Sequence, residues 1–248
     1  MKHWRSWLVP ALAAAAFAAV YALDANRALF LAFNKIGPAT SDALWTNLTV
    51  LGDAMVAFAL CLPLWRRRPE LLWGLAFVAL LGTLWVHGLK PFVDVARPPA
   101  VLGDQVHIIG PAYKAHSFPS GHATTAFAIG GLLVLGLGSR VWAGVILTLA
   151  TLVALSRAVV GVHWPLDIVA GVFGGWLAAV FGLWLAERTR RVGERPWVQW
   201  TLALLLTACA VALVLGYPNE YPQADLLQRA LGICCIAAAA ARLKRAAR

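Results

Sequence analysis

Apolar residues fill this chain in eight blocks of 16 to 20 positions, at roughly 7–23, 49–65, 71–89, 122–138, 141–157, 167–186, 197–216 and 226–241. Blocks of this length lack the two-residue alternation of a strand and match the length a helix needs to cross a bilayer. The pattern predicts an all-α fold, a polytopic membrane helical bundle. No polar stretch is long enough to build a soluble domain beside it. The first block follows Lys2 and Arg5 and ends in small residues. It therefore also fits a signal peptide, though we read it as a span. Cleavage would leave the orientation of the other spans unchanged.

Two segments between the blocks stand out. In 24–48, Leu29, Phe30, Phe33 and Ile36 fall on one helical face suited to a membrane interface, and an ordinary loop fits equally well. The segment 98–118 is the longest loop on its side after the third block, broken by Pro98, Pro99, Gly103, Gly110 and Pro111. Its His107, Lys114 and His116 read as solvated side chains, with substrate contact as the alternative.

Composition agrees: 61% of residues are hydrophobic and 13% charged, against about a quarter charged in soluble domains. The net charge of +10 raises the question of a nucleic-acid partner, and the distribution of charge answers against it. One set of flanks carries Lys2, Arg5, Arg66–Arg68, Arg140, Arg188, Arg190, Arg191, Arg195, Arg242, Lys244, Arg245 and Arg248, 14 of the 21 basic residues. Of the 11 acidic residues, only Glu70, Glu187 and Glu194 share that side. The positive-inside rule then predicts both termini in the cytoplasm. The four cysteines, Cys61, Cys209, Cys234 and Cys235, lie within apolar blocks without metal-site spacing and read as small apolar residues.

The opposite side gathers the chemistry, in three pieces. Lys90 and Arg97 follow the third block; a compact ammonium and a planar guanidinium fork both suit phosphate oxygens. As a plain alternative, both anchor a helix end at the membrane edge, and Asp94 reads as a partner for Lys90. Ser117-Phe-Pro-Ser120-Gly121-His122 precedes the fourth block. Ser120 is a natural N-cap there, so Gly121 and His122 open a helix whose free amides and dipole favour an anion. His122 is placed to protonate a leaving oxygen. Finally, Ser156-Arg157 is followed by His163-Trp-Pro-Leu-Asp167. A carboxylate one turn after a histidine can bind one ring nitrogen and leave the other free to attack phosphorus.

The patterns K-x6-R-P, P-S-G-H and S-R-x5-H-x3-D, in this order, resemble the three motifs of the type 2 phosphatidic acid phosphatase superfamily, which includes bacterial lipid phosphatases and vanadium haloperoxidases. The motifs occupy 90–167. The resemblance implies a six-span phosphatase core (1–190) followed by two additional transmembrane helices (191–248), on whose role it is silent. It implies that Lys90, Arg97 and Arg157 hold phosphoryl oxygens and that Ser120 and Gly121 add hydrogen bonds. His163 would be the nucleophile, Asp167 its orienting partner and His122 the acid and then the base. No cofactor or metal is required, and the substrate would be a lipid phosphate or diphosphate entering from the bilayer. Undecaprenyl diphosphate is the first expectation; phosphatidylglycerophosphate, phosphatidate and a lipid A phosphate follow. The expected location is the bacterial cytoplasmic membrane, with the site at the outer face. A lipid-linked phosphotransferase shares every residue, and an anion transporter is the alternative from another class.

Overall fold

A computed structural model describes residues 6–246 of the chain; Lys2, Arg5 and Arg248, counted in the charge pattern, lie outside the described residues. Those residues form helices and connecting turns, with no strand among them. The first apolar block is α1 (Leu8–Ala22), which bends by 106° into α2 (Asn26–Asn34) and the single turn α3 (Ile36–Ala39). Then come α4 (Asp42–Val50), α5 (Ala54–Cys61), α6 (Pro69–Leu89), the short α7 (Pro98–Leu102), α8 (Gly121–Leu137), α9 (Arg140–Val159) and α10 (Pro165–Arg188). The single turn α11 (Arg190–Gly193) leads into α12 (Pro196–Val214) and α13 (Asp225–Ala246). Among the described residues, five helices are long and apolar enough to cross a membrane, up to seven spans if each bent pair counts as one, and α8 is a shorter apolar helix.

Two expectations change. The block 49–65 is not one helix. Amides of Leu51, Gly52 and Asp53 close a turn onto the carbonyls of Leu48, Thr49 and Val50. The Asp53 carboxylate then accepts the amides of Met55 and Val56, at 2.8 and 3.3 Å, and caps a new helix. The two halves meet at 61°. Nor is the apolar face of 24–48 turned to a membrane interface. Phe30 is fully buried with its ring 5.1 Å from that of Trp164, and Phe33 packs against the same cluster. Asn34, also buried, donates to the carbonyls of His107 and Val159 at 2.8 and 3.0 Å and accepts the His107 amide, also at 2.8 Å. It ties α2 to the 98–120 loop and to the end of α9.

Helix α10 is the axis of the bundle, packed on α8, α6, α1 and α9. Its contact with α8 depends on two glycines a turn apart. A Cβ built on Gly171 would lie 2.7 Å from the Ser120 carbonyl oxygen, and one on Gly175 would lie 2.3 Å from that of Thr124. Backbone meets backbone here, the close approach that small residues permit between membrane helices. The helices α12 and α13 pack on each other and on α5, in one apolar cluster with α6.

The two ends of the bundle differ. At one end Arg68 donates to the Gly136 carbonyl (2.6 Å), Trp73 to the Thr189 hydroxyl (2.8 Å) and Gln199 to the Pro69 and Gly193 carbonyls (3.1 and 2.8 Å). This end carries Arg66–Arg68 and Arg188–Arg195. The last residues of α6 and α9 and the first of α8 and α10 meet at the other.

Adding a methyl at position 175 should force α8 and α10 apart, so Gly175→Ala is expected to destabilise the bundle by about 1–3 kcal/mol, the usual cost of overpacking. Gly144→Ala is the control: its Cβ meets nothing within 4 Å, and removing a helical glycine should stabilise by about 0.5–1 kcal/mol. Thermal unfolding in a mild detergent should show midpoints moving in opposite directions.

Candidate active site

Asp167 is the third residue of α10, and Pro165, with no amide hydrogen to satisfy, opens that helix. The carboxylate reaches back to the Trp164 amide, with Oδ2 at 2.8 Å. The same oxygen accepts the Ser117 hydroxyl at 2.5 Å and lies 3.4 Å from His163 Nδ1. The Asp167 carbonyl accepts the Ser120 amide at 3.0 Å. One residue thus joins the Ser117–His122 stretch to the His163 turn, and all of these groups are buried or nearly so.

The other ring nitrogen, His163 Nε2, lies 3.3 Å from Arg97 Nη1. A guanidinium can only donate, so Nε2 accepts and the ring proton sits on Nδ1, facing Asp167. Nε2 therefore carries a lone pair. Burial, and then the charges of Arg97, Arg157 and Lys90, hold the His163 imidazole neutral, its pKa well below the ordinary 6.5. The pairing of His163 with Asp167 expected from the sequence is present, whereas the second nitrogen, expected free, is in contact with Arg97.

Three cations act on that imidazole, Arg97 in direct contact and Arg157 and Lys90 through their charge. Arg97 is fixed through backbone: Nε donates to the Ala115 carbonyl at 2.9 Å and Nη1 to that of Val162 at 3.2 Å, and the guanidinium stacks 5.1 Å from the Tyr113 ring centre. Arg157, 2% exposed, donates from Nη1 to the Thr49 hydroxyl at 2.6 Å and to the Tyr221 hydroxyl at 2.9 Å. Its Nε is buried without a partner among the described residues. Lys90 caps the end of α6, half-buried. Partial burial first, and then Arg97 and Arg157, lower its pKa, and burial followed by Arg157 does the same for Arg97. Like charges gathered with so little carboxylate between them form a site electrostatically ready for a polyanion.

The start of α8 faces the same space. Ser120 caps the helix, its Oγ accepting the Ala123 amide at 3.5 Å, while its own amide is spent on Asp167. Of the two hydrogen-bonding residues expected here, Ser120 thus retains only its hydroxyl proton for a ligand. Gly121 is open: a Cβ there would meet only Val86, at 3.8 Å. His122 lies between two cavities. One, of about 260 Å³, runs between α5, α6 and α8 and is lined by Gly121, His122, Thr124 and Thr125 and then by Phe58, Val78, Ala128 and Ile129. The other, of about 110 Å³, is bounded by Asp53 and the loop 217–221.

Of the loop residues weighed as substrate contacts, the two histidines are otherwise engaged and Lys114 is exposed. His107 pairs with Asp42 at 3.0 Å, and His116 lies 3.7 Å from Asp94, on the surface. Asp94 thus pairs with His116, and no ion pair to Lys90 is found among the described residues. Ser117, Thr49 and Tyr221 were not foreseen. A hydroxyl three residues before Ser120 was a visible hint for Ser117. Nothing in the sequence connects Thr49 and Tyr221 to Arg157, which lies 108 and 64 positions away.

Residues 71–191 match the model of the PAP2 superfamily. The crystal structure of Aquifex aeolicus LpxE superposes with a TM-score of 0.59 at 31% identity, over 64% of this chain and 94% of that one. An undecaprenyl-diphosphatase of Sulfolobus acidocaldarius is 39% identical over 92 residues, 36% of this chain and 44% of the relative. A lipid A 1-phosphatase of Porphyromonas gingivalis is 40% identical over 75 residues, 29% and 17% of the two chains. The chain spans less than half the length of the first curated relatives it matches. It belongs to the PAP2 superfamily, as a multi-pass membrane member.

The depressed His163 pKa has a measurable sign. A base with a lowered pKa loses its lone pair only when acid passes that lowered value. The acid limb of kcat/KM should therefore lie below pH 6.5, and a limb at or above neutrality would contradict a neutral, buried His163.

Proposed function

We propose that this protein is an integral-membrane phosphatase that hydrolyses a lipid phosphate or diphosphate through a phosphohistidine. The observation that carries the reading is the His163 ring, proton toward Asp167 and lone pair toward Arg97. The phosphoryl group would displace the Arg97 contact and take up Arg97, Arg157, Lys90 and the open amide end of α8. His163 Nε2 would then attack phosphorus in line, as the bond to the leaving oxygen breaks and His122 supplies that oxygen with a proton. In the second half His122 would take a proton from water, whose oxygen attacks phosphorus, frees His163 and releases inorganic phosphate. Preorganised positive charge on the equatorial oxygens is the main expected source of rate.

The lipid's tail would lie against Phe58, Val78, Ala128 and Ile129 while its head group meets His122. Undecaprenyl diphosphate leads the candidate substrates, supported by the name of the Sulfolobus relative; lipid A phosphate, phosphatidylglycerophosphate and phosphatidate stand close behind. The clustering of basic loops at the end opposite the site supports a bacterial cytoplasmic membrane location, termini inside and active site at the outer face. The six-span core would comprise 1–190, with 191–248 as an addition to it. The position of the cations at one end of the bundle argues against an anion transporter, whose site belongs near the membrane midplane. A phosphotransferase would use the same groups with a different acceptor.

Phosphate release from a panel of lipid phosphates tests the reading. His163→Ala should lower turnover by about a thousandfold or more, as removal of a nucleophile does, while still binding substrate. Activity of the unmodified protein should survive EDTA. Loss of activity that Mg²⁺ restores, or full activity in His163→Ala, would overturn the mechanism.

A further inference from the structure

We propose that Tyr221, on the loop between α12 and α13, is a positioning residue that aims the phosphate-binding edge of Arg157, so that the C-terminal helix pair completes the active site. The inference rests on the phosphatase reading for its ligand, a phosphoryl group. Its geometry stands apart from that reading. Tyr221 lies beyond residue 191, where the family match ends.

A guanidinium presents two edges for paired contacts, one formed by Nη1 and Nη2 and the other by Nε and Nη2. Both hydrogens of Arg157 Nη1 are engaged, by the Thr49 hydroxyl at 2.6 Å and by the Tyr221 hydroxyl at 2.9 Å. With Nη1 tied on both sides the plane of the group cannot turn. The Nε–Nη2 edge is left to hold two oxygens of one ligand, and Nε is buried with no partner among the described residues. A buried unpartnered N–H on a charged group is costly unless a ligand meets it. Thr49 comes from the last turn of α4, ahead of residue 71 where the family match begins. Tyr221 comes from the added helix pair, and without it the guanidinium would be held from one side.

The loop is built to hold that tyrosine still. The Asn219 side chain accepts the Tyr221 amide at 2.5 Å and donates to Asp225 at 2.6 Å and to Gln228 at 3.0 Å. Gln228, 1% exposed, donates in turn to the Tyr217 carbonyl at 2.8 Å. From the other direction, the Tyr221 ring packs on Gly110, where a Cβ would lie 2.7 Å from it. The next residue back, Glu220, accepts the Tyr113 hydroxyl, and Tyr113 stacks on Arg97. One loop therefore reaches both arginines, Arg157 directly and Arg97 through Tyr113.

Tyr221→Phe deletes the hydroxyl and keeps the ring, so the bundle should remain folded with an unfolding midpoint close to that of the unmodified protein. Loss of one hydrogen bond to a charged group should lower kcat/KM about tenfold to a hundredfold. The inhibition constant of vanadate, a five-coordinate mimic of the phosphoryl group, should rise by a similar factor, because aim matters most for the in-line geometry. In an Arg157→Lys background, which lacks the fork, the same substitution should change vanadate affinity no further. Thr49→Val frees the same nitrogen from the core side and should weaken vanadate in the same way if Tyr221→Phe does not purify as a single species. Unchanged vanadate affinity in either single variant, or an undiminished effect of Tyr221→Phe in Arg157→Lys, would overturn the proposal. Failure of the phosphatase reading has its own sign, no phosphate release by the unmodified protein from any lipid phosphate, and vanadate binding by calorimetry then still reports on Tyr221.

Discussion

The carboxylate of Asp167 is the constraint on which this architecture turns. It sits near one end of the central helix with no lysine or arginine bonded to it among the described residues, and its Oδ2 accepts a hydroxyl, an amide and an imidazole N–H. Those donors come from two local structures, Ser117 from the approach to α8 and the adjacent His163 and Trp164 from the turn between α9 and α10. An ionised carboxylate out of water must be met by donors. Meeting this one fixes the spacing of α8, α9 and α10 at their shared end. The glycines at 171 and 175 serve the same end, since α8 can present Ser120 to the Asp167 carbonyl only when the two backbones nearly touch.

Around this anchor the protein gathers charge that it does not neutralise. Arg97 is held by carbonyl oxygens and an aromatic face, Arg157 by two hydroxyls, Lys90 by none of the described groups. Dipoles of this kind position a cation without cancelling it. Their mutual repulsion appears as pKa values lowered for Lys90 and Arg97 beyond what burial does first. An anionic ligand would relieve that repulsion, which turns part of the folding cost of the cluster into affinity. The neutral state of His163 has the same origin, because a fourth positive charge is unwelcome there.

Much of this was legible in the sequence. The apolar blocks located the helices because a membrane span must be apolar all round, and the order of Lys90, Arg97, Ser120, His122, Arg157, His163 and Asp167 gave their shared end because spans alternate in direction. The break at Gly52-Asp53 was hidden, since an apolar run looks the same whether or not an aspartate restarts the helix within it. The inward turn of Phe30 and Asn34 was hidden too: the periodicity gave a face, and only packing decides what the face meets. Partners across long separations, such as Asn34 with α9 or Tyr221 with Arg157, leave no local pattern at all, because each is an ordinary polar residue until the chain brings it to its partner.

The contact between Arg97 and His163 also has a bearing on selectivity. At rest the Nε2 lone pair is already occupied by a guanidinium hydrogen, so the imidazole is masked. A multiply charged oxyanion can draw that guanidinium onto itself and uncover the nitrogen in the same movement. An uncharged ester has no means of doing so. On the proposed chemistry, discrimination against carboxylic esters and chemical quiescence of the ring between turnovers would both come from this one 3.3 Å contact, with no lid needed to guard the site.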